Sequence, residues 1–174
     1  MLFNEEVQNI DELIEKVINE KDIHKMKVCV VCMLYDKDGK IILHRRGAKA
    51  RDEVGKLEAI GGSVDRSDGN FRDALLRELR EEAGVEATFE LGDFLVAQHT
   101  QHVDKASNEL IDWVVLCYLG KVIAGELVNM EPERCVEFTR KTLEEYLDDK
   151  DLSDSCRNFM NYIKDNRWYY ENKK

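Results

Sequence analysis

Hydrophobic residues recur along this chain with two periods, one typical of helices and one typical of strands. Near the N-terminus they lie three or four positions apart, at Val7, Ile10, Leu13, Ile14, Val17 and Ile18. This spacing predicts an amphipathic helix over residues 5–20, with Asn4 as its N-cap. The stretch SDSCRNFMNYIKDN near the other end has the same period. We therefore expect residues 153–174 to form a C-terminal helix and a tail.

Between these two segments, apolar and β-branched runs predict a sheet. KVCVVCMLYDKDGKIILHRR is typical of a hairpin whose turn contains Gly39, and LEAIGG of a short strand ending in two glycines. ATFELGDFLVAQHT and LIDWVVLCYLGKV predict two further strands, and KTLEEYL begins with a capping-box pattern that predicts a helix. Strands flanked by helices indicate one α/β domain spanning residues 1–174.

Three glutamates cluster on the helix predicted from RDALLRELREEAG. At 100° per residue, Leu75, Leu76, Leu79 and Ala83 form the buried stripe. Glu78, Glu81 and Glu82 border that stripe, and such like-charge pairs cost roughly 0.2–0.5 kcal/mol each in an isolated helix. Two interpretations remain open at this point. The cluster is either a solvated face neutralised by neighbouring arginines or a site for a hard cation.

Composition and net charge narrow the classes of partner that the protein is expected to bind. The formal net charge of −10 argues against a surface that binds nucleic acid or anionic membranes. The five cysteines are odd in number and form no secreted disulfide framework. The N-terminal sequence lacks a signal-peptide pattern, and no apolar run is long enough to span a membrane. We expect a soluble cytoplasmic protein.

The arrangement around the glutamates resembles the Nudix box. That pattern is Gly, five residues, Glu, seven residues, then Arg-Glu-apolar-any-Glu-Glu-any-Gly-apolar, and residues 77–85, RELREEAGV, match its second half completely. The first half departs from it, because the five residues that follow Gly62 lead to Asp68 in place of Glu, and eight residues then separate Asp68 from Arg77. The box spans residues 61–85. The resemblance implies a Nudix-type α/β/α sandwich with a mixed β-sheet and a catalytic loop-helix-loop.

The resemblance also implies a metal-dependent pyrophosphohydrolase, in which water attacks phosphorus in a nucleoside triphosphate or another nucleoside diphosphate-X compound. Mg²⁺ is the expected cation, with Mn²⁺ as an alternative. The implied metal ligands are Glu78, Glu81, Glu82 and the Gly61 carbonyl. Glu78 is the first choice for the general base; a glutamate after the box, Glu109, Glu126, Glu131 or Glu137, is the alternative. Asp68 is expected to support Arg77, which orients the helix glutamates.

The sequence indicates the substrate-binding residues less specifically than the metal ligands. Arg45 and Arg46, at the end of the hairpin, are candidates for phosphate binding, and a strand-end pair exposed to water is the alternative. NMEPERC, residues 129–135, resembles a segment of nucleoside-triphosphate diphosphatases in the family, which makes Glu131 a substrate-binding candidate. The tryptophan that commonly follows that segment is missing. A small nucleotide is the expected partner.

Two other functions remain open. One is a Nudix-fold nucleotide-binding or regulatory domain without turnover, which only the altered first half of the box supports. The other is isopentenyl-diphosphate isomerase, which shares the fold, although its cysteine-bearing segment has no counterpart here. The aromatic C-terminal sequence NRWYYENKK favours packing in the core or in a homodimer over stacking on nucleic acid.

Overall fold

A single mixed β-sheet organises the protein, as shown by a computed structural model that describes residues 2–18, 26–50, 53–103 and 107–167. The strands are β1 (Leu2–Phe3), β2 (Met26–Tyr35), β3 (Ile41–Arg46), β4 (Leu57–Glu58), β5 (Ile60–Ser63), β6 (Thr88–Val103), β7 (Leu110–Ala124) and β8 (Cys135–Lys141). The helices are α1 (Ile10–Ile18), α2 (Phe71–Ala83), α3 (Leu143–Leu147) and α4 (Asp154–Asp165).

The strands follow the order β1-β6-β7-β2-β3-β4, with β5 added to β2 and β8 to β3. The β2–β7 pair is parallel and the other strand pairs are antiparallel. In the hairpin, β2 pairs with β3 only at Leu34 and Tyr35, and then pairs with β5 from Cys29 to Cys32. The two glycines of β5 therefore lie beside the middle of the most central strand.

Helices cover both faces of this sheet. Alternate residues of β2 point to opposite faces. Val30 packs with Leu13 of α1 and Leu79 of α2, whereas Val31 packs with residues of α3 and α4. The result is three layers, α/β/α, with a mixed sheet in the middle, as the sequence predicted. No helix within the described residues is long and apolar enough to cross a membrane.

The N-terminal helix begins later than predicted. It starts at Ile10 rather than at residue 5, because Asn9 accepts a hydrogen bond from the Glu12 N–H at 3.0 Å and so acts as the cap in place of Asn4. Leu2 and Phe3 instead form an edge strand on β6. The last two residues of the predicted helix, 19–20, and the tail 168–174 lie outside the described residues.

The predicted strands differ from the observed ones at LEAIGG and at β8. LEAIGG forms β4 and β5, not one strand: Glu58 folds its carboxylate back onto the N–H of Ala59 at 3.0 Å, and the pairing partner changes from β3 to β2. Strand β8 was not predicted, and its exposed and half-buried residues show little of the alternation that identifies a strand. The capping box at Thr142 and Glu145 is confirmed. The five cysteines are free thiols in the structure.

Candidate active site

Helix α2 is held at both ends, and this fixes its glutamates relative to the sheet. The Asn70 side chain caps the first turn by accepting the Asp73 N–H at 2.9 Å. Gly84, with a φ of 92°, ends the helix and donates to the Arg80 carbonyl at 3.1 Å. The apolar stripe of α2 faces the sheet: Phe71, Ala74, Leu75, Leu79 and Ala83. The glutamates at the border of this stripe therefore lie next to β5.

Glu82 is a buried carboxylate at the edge of the sheet. Its side chain is 14% exposed, and Oε2 accepts the N–H of Gly61 at 3.1 Å. Burial, together with smaller contributions from the negative charges of Glu78 and Glu131, raises the pKa of Glu82 to about 8. The ionised form of Glu82 is therefore poorly compensated by the protein, and a bound cation would stabilise it.

Glu78 lies against the second glycine of β5. A Cβ on Gly62 would clash with Glu78 Oε2, so the absence of a side chain leaves room for this carboxylate. Glu78 is 12% exposed, and burial is the main reason that its pKa is raised. Glu81, by contrast, is 54% exposed. The helix therefore presents two largely buried carboxylates, Glu78 and Glu82, and one exposed carboxylate to the same region.

Arg77 connects this cluster to the preceding loop. Its Nε and Nη2 donate to the two oxygens of Asp68 at 2.9 and 2.8 Å, and Nη2 also donates to the Ser63 carbonyl at 3.0 Å. Its Nη1 donates to Glu78 at 2.8 Å and to Glu81 at 3.2 Å. The hydrogen bond from Arg77 is the main reason that the pKa of Asp68 is lowered. The predicted Asp68–Arg77 contact is confirmed.

The loop accommodates its extra residue in a tight turn around Asp68. The Asp65 N–H donates to Asp68 Oδ2 at 2.8 Å, and the Asp68 N–H donates back to the Asp65 carbonyl at 3.0 Å. Asp65 also accepts both the backbone N–H and the hydroxyl of Ser67, each at 2.8 Å. These bonds bring the shorter aspartate within reach of Arg77. An open cleft of about 400 Å³ lies beside the loop. It is lined by Ser63, Val64, Asp65, Ser67, Arg77, Glu78 and Glu81.

His44 also adjoins the carboxylates and was not among the predicted site residues. It is 6% exposed, and among the described residues neither ring nitrogen has a hydrogen-bond partner. Its Nδ1 lies 3.9 Å from Glu82 Oε2, and burial followed by the charge of Arg46 lowers its pKa to about 4. The sequence signal that could have indicated His44 is its position in the strand. Ile42, His44 and Arg46 occupy alternate positions and so share one face.

The two predicted phosphate-binding arginines have different surroundings. Arg45 donates to Glu137 at 2.9 Å, to the Gly55 carbonyl at 2.8 Å and to Asp151 at 3.3 Å. The charge of Arg46 instead lowers the pKa of Glu82, so Arg46 lies within electrostatic range of this carboxylate. Binding of phosphate by either arginine stays a prediction.

The segment after β7 joins the same site. The Met130 N–H donates to the Glu82 carbonyl at 3.2 Å, and the Glu131 N–H donates to the Asn129 side chain at 3.0 Å. The charge of Glu131 contributes to the raised pKa values of both Glu78 and Glu82. Glu131 is thus close enough to act at the site, although its role as a substrate contact stays a prediction.

Carboxylate oxygens are the potential metal ligands of this site. Among the described residues, no three His, Cys, Asp or Glu side chains already form a metal-binding group, and Arg77 occupies Glu78 and Glu81. However, the donors are the carboxylate oxygens that hard divalent cations prefer, and two of them are buried without full charge compensation. Arg77 Nη1 bonds only one oxygen of Glu78 and one of Glu81, so the other oxygen of each carboxylate would be the metal ligand, and the residues fit a divalent cation.

Comparison with known proteins identifies the family of this chain. The NUDIX domain family model matches residues 25–161. The chain is 39% identical to the CTP pyrophosphohydrolase of Escherichia coli (strain K12) over 112 residues, which are 63% of this chain and 79% of that protein.

Solved structures share the fold. The MutT protein from Methanosarcina mazei Go1 is 22% identical, with a TM-score of 0.64 over 88% of this chain and 100% of that one. The MutT NUDIX hydrolase from Burkholderia pseudomallei is 25% identical, with a TM-score of 0.61 over 80% of this chain and 99% of that one. The chain therefore belongs to the NUDIX family and is a Nudix hydrolase.

Proposed function

We propose that the protein is a metal-dependent pyrophosphohydrolase that converts a nucleoside triphosphate and water into a nucleoside monophosphate and diphosphate. The relative named as a CTP pyrophosphohydrolase makes CTP the first substrate to test. Other nucleoside diphosphate-X compounds remain alternatives, because the loops that set specificity carry no readable signature.

The observation that supports this proposal most is the burial of Glu78 and Glu82 against Gly61 and Gly62. A glutamate on a solvated surface needs no neighbouring glycine to make room for it, as Gly62 does for Glu78. Nor would its pKa be raised by burial, as the pKa of Glu82 is raised to about 8. Both features are useful where a cation must be held close to a strand. The proposed metal ligands are Glu78, Glu81, Glu82 and the Gly61 carbonyl.

A bound divalent cation, Mg²⁺ with Mn²⁺ as the alternative, would neutralise the oxygens of the diphosphate and make the attacked phosphorus more electrophilic. Glu78 accepts the proton of the attacking water, because its raised pKa makes it a better base than an ordinary glutamate. The new bond joins the water oxygen to phosphorus, and the bond from phosphorus to the bridging oxygen breaks. Glu131 is the alternative base.

The remaining residues position these groups. Asp68 holds the guanidinium of Arg77, and Arg77 in turn orients Glu78 and Glu81. Arg46, within electrostatic range of Glu82, binds a substrate phosphate. The Asp68–Arg77 contact also weakens the case for a binding domain without turnover, since that case depended on the altered first half of the box. We further propose a cytoplasmic location, a single domain over residues 1–174, and a homodimer as the alternative to a monomer.

A substrate panel with product identification tests the proposal. The purified chain is incubated with Mg²⁺ and CTP, the other (d)NTPs, oxidised purine triphosphates, ADP-ribose, dinucleoside polyphosphates or nucleotide sugars. We expect turnover of at least one triphosphate to monophosphate and diphosphate, and loss of that turnover in Glu82→Gln. Glu86→Gln, which removes one charge from an exposed residue just past α2, is the matched control. Nucleotide binding without turnover of any compound would overturn the proposal.

A further inference from the structure

We propose that His44 is an additional protein ligand of the divalent cation, acting through Nδ1 beside Glu82, and that it makes the site favour first-row transition-metal ions over Mg²⁺. This inference rests on the proposed function, which places the cation at Glu82. It concerns the identity of the cation and adds a residue that the Nudix pattern in this sequence did not indicate.

The first support is the burial of the imidazole away from hydrogen-bonding groups of the described residues. His44 is 6% exposed, and neither of its ring nitrogens has a hydrogen-bond partner among the described residues. Buried polar atoms in folded proteins are nearly always satisfied, so an exception at an active site calls for an absent partner. A metal ion would satisfy one of the two nitrogens.

The second support is the distance to Glu82. The 3.9 Å between His44 Nδ1 and Glu82 Oε2 is too long for a hydrogen bond. It is shorter than the sum of two metal–ligand bonds of about 2.0–2.2 Å each, so one ion can contact both atoms with little movement. The Gly61 N–H donates to the same oxygen at 3.1 Å and holds that carboxylate in place.

The fold fixes the direction of His44. It stands two residues after Ile42, which packs with the residues of α2, and in register with Phe138 of β8. Alternate positions of a strand share a face, so His44 and Ile42 both point towards α2.

The chemical consequence is a site with mixed nitrogen and oxygen donors. Carboxylates and water alone suit Mg²⁺, whereas an imidazole nitrogen raises the affinity for Co²⁺, Ni²⁺ and Zn²⁺ much more than for Mg²⁺. The site should therefore bind Co²⁺ more tightly than an all-carboxylate site would.

Co²⁺ is the probe for the test, because its visible absorption and its strongly shifted proton NMR signals report on its ligands. The full chain, His44→Ala and His44→Gln are titrated with Co²⁺, and Mg²⁺ affinity is measured by competition. Wild type should show a strongly shifted, exchangeable signal from the ring N–H of a bound imidazole. Both variants should lose this signal and bind Co²⁺ at least about 10-fold more weakly, while Mg²⁺ affinity changes less than about 3-fold.

Controls separate this inference from the proposed function. His99→Gln removes a histidine that pairs with Asp112 at 2.7 Å, and it should leave the shifted signal unchanged. Thermal melts identify any variant that fails to fold, and His44→Gln keeps most of the buried volume if His44→Ala does not. Co²⁺ binding that is lost in Glu82→Gln but unchanged in both His44 variants would overturn the role of His44 alone. Failure of wild type to bind any divalent cation would overturn both proposals.

Discussion

The guanidinium of Arg77 binds both oxygens of the Asp68 carboxylate, with N–O distances of 2.9 and 2.8 Å. Asp68 stands where the Nudix pattern has a glutamate, and its side chain is one methylene shorter. The loop is one residue longer, and its turn at Asp65 brings the aspartate close enough for a two-point contact. The two departures from the pattern therefore compensate each other.

This contact predicts an order of effects between two carboxylates. Asp68→Ala should lower kcat/KM about 10- to 100-fold, because it removes support from Arg77 without removing a proposed metal ligand. Glu82→Gln should lower it about 10³-fold, because the cation loses a buried carboxylate. Steady-state kinetics on the best substrate of the panel measure both. Asp68→Asn is the conservative control. A larger loss in Asp68→Ala than in Glu82→Gln would show that the metal ligands are assigned wrongly.

The two glycines of β5 should respond differently to alanine. In Gly62→Ala the new methyl would meet the movable carboxylate of Glu78, so we expect a folded protein with turnover reduced roughly 10²-fold. In Gly61→Ala the methyl would meet the backbone of Val30 at a φ of 149°, so stability should fall by about 1–3 kcal/mol or more.

Urea unfolding and kinetics on the same preparations distinguish these outcomes. Gly69→Ala is the matched control, since its methyl would make only an ordinary contact with Asp73 at 3.4 Å. Equal stability losses in Gly61→Ala and Gly62→Ala, with equal turnover, would contradict the idea that Gly62 makes room for Glu78.

Replacement of Arg45 and replacement of Arg46 by alanine should have different effects. Arg46→Ala should raise KM about 10-fold through the loss of a charged phosphate contact. Arg45→Ala should leave KM nearly unchanged and lower the free energy of unfolding by about 0.2–1 kcal/mol, because its partners Glu137 and Asp151 are partly exposed. Kinetics and urea unfolding of both variants provide the check. A rise in KM with Arg45→Ala as large as with Arg46→Ala would mean that both bind phosphate, as the sequence suggested.

Buried Glu58 predicts a pH dependence of stability. Burial raises its pKa from 4.5 to about 7, so the folded state holds a proton that the unfolded state releases. The contribution of Glu58 to stability is therefore present below pH 4.5 and is lost as the pH rises through 7. Thermal melts of the metal-free protein at pH 5 and pH 8 should show this loss in wild type and a smaller loss in Glu58→Gln. The exposed variant Glu86→Gln should behave as wild type does. Identical pH profiles for wild type and Glu58→Gln would contradict this interpretation.

Sequence alone predicted the fold class because its strongest signals are local. The turn at Gly39, the capping box at Thr142 and the stripe of α2 each specify their own conformation. The elements that were missed depend on tertiary contacts. Strand β8 shows weak alternation of buried and exposed residues and is defined by its pairing with β3. Helix α1 begins later than predicted because Asn9, and not Asn4, caps it.

The same distinction applies to the candidate site. The glutamates of α2 were recognisable because the Nudix pattern fixes their spacing. His44 was not, because a single histidine in an apolar strand becomes informative only when its neighbours in space are known, and Glu82 is 38 residues away along the chain. The different surroundings of Arg45 and Arg46 likewise depend on tertiary structure. Neighbouring strand residues point to opposite faces of the sheet, and different helices cover the two faces.

The most direct test of the central claim is the rate of CTP hydrolysis by metal-free protein, followed by ³¹P NMR before and after the addition of Mg²⁺. The account predicts no turnover in EDTA, recovery of turnover with Mg²⁺ in wild type, and a rate about 10³-fold lower in Glu82→Gln at saturating Mg²⁺. Turnover that persists in EDTA, or that is equal in wild type and Glu82→Gln, would contradict it.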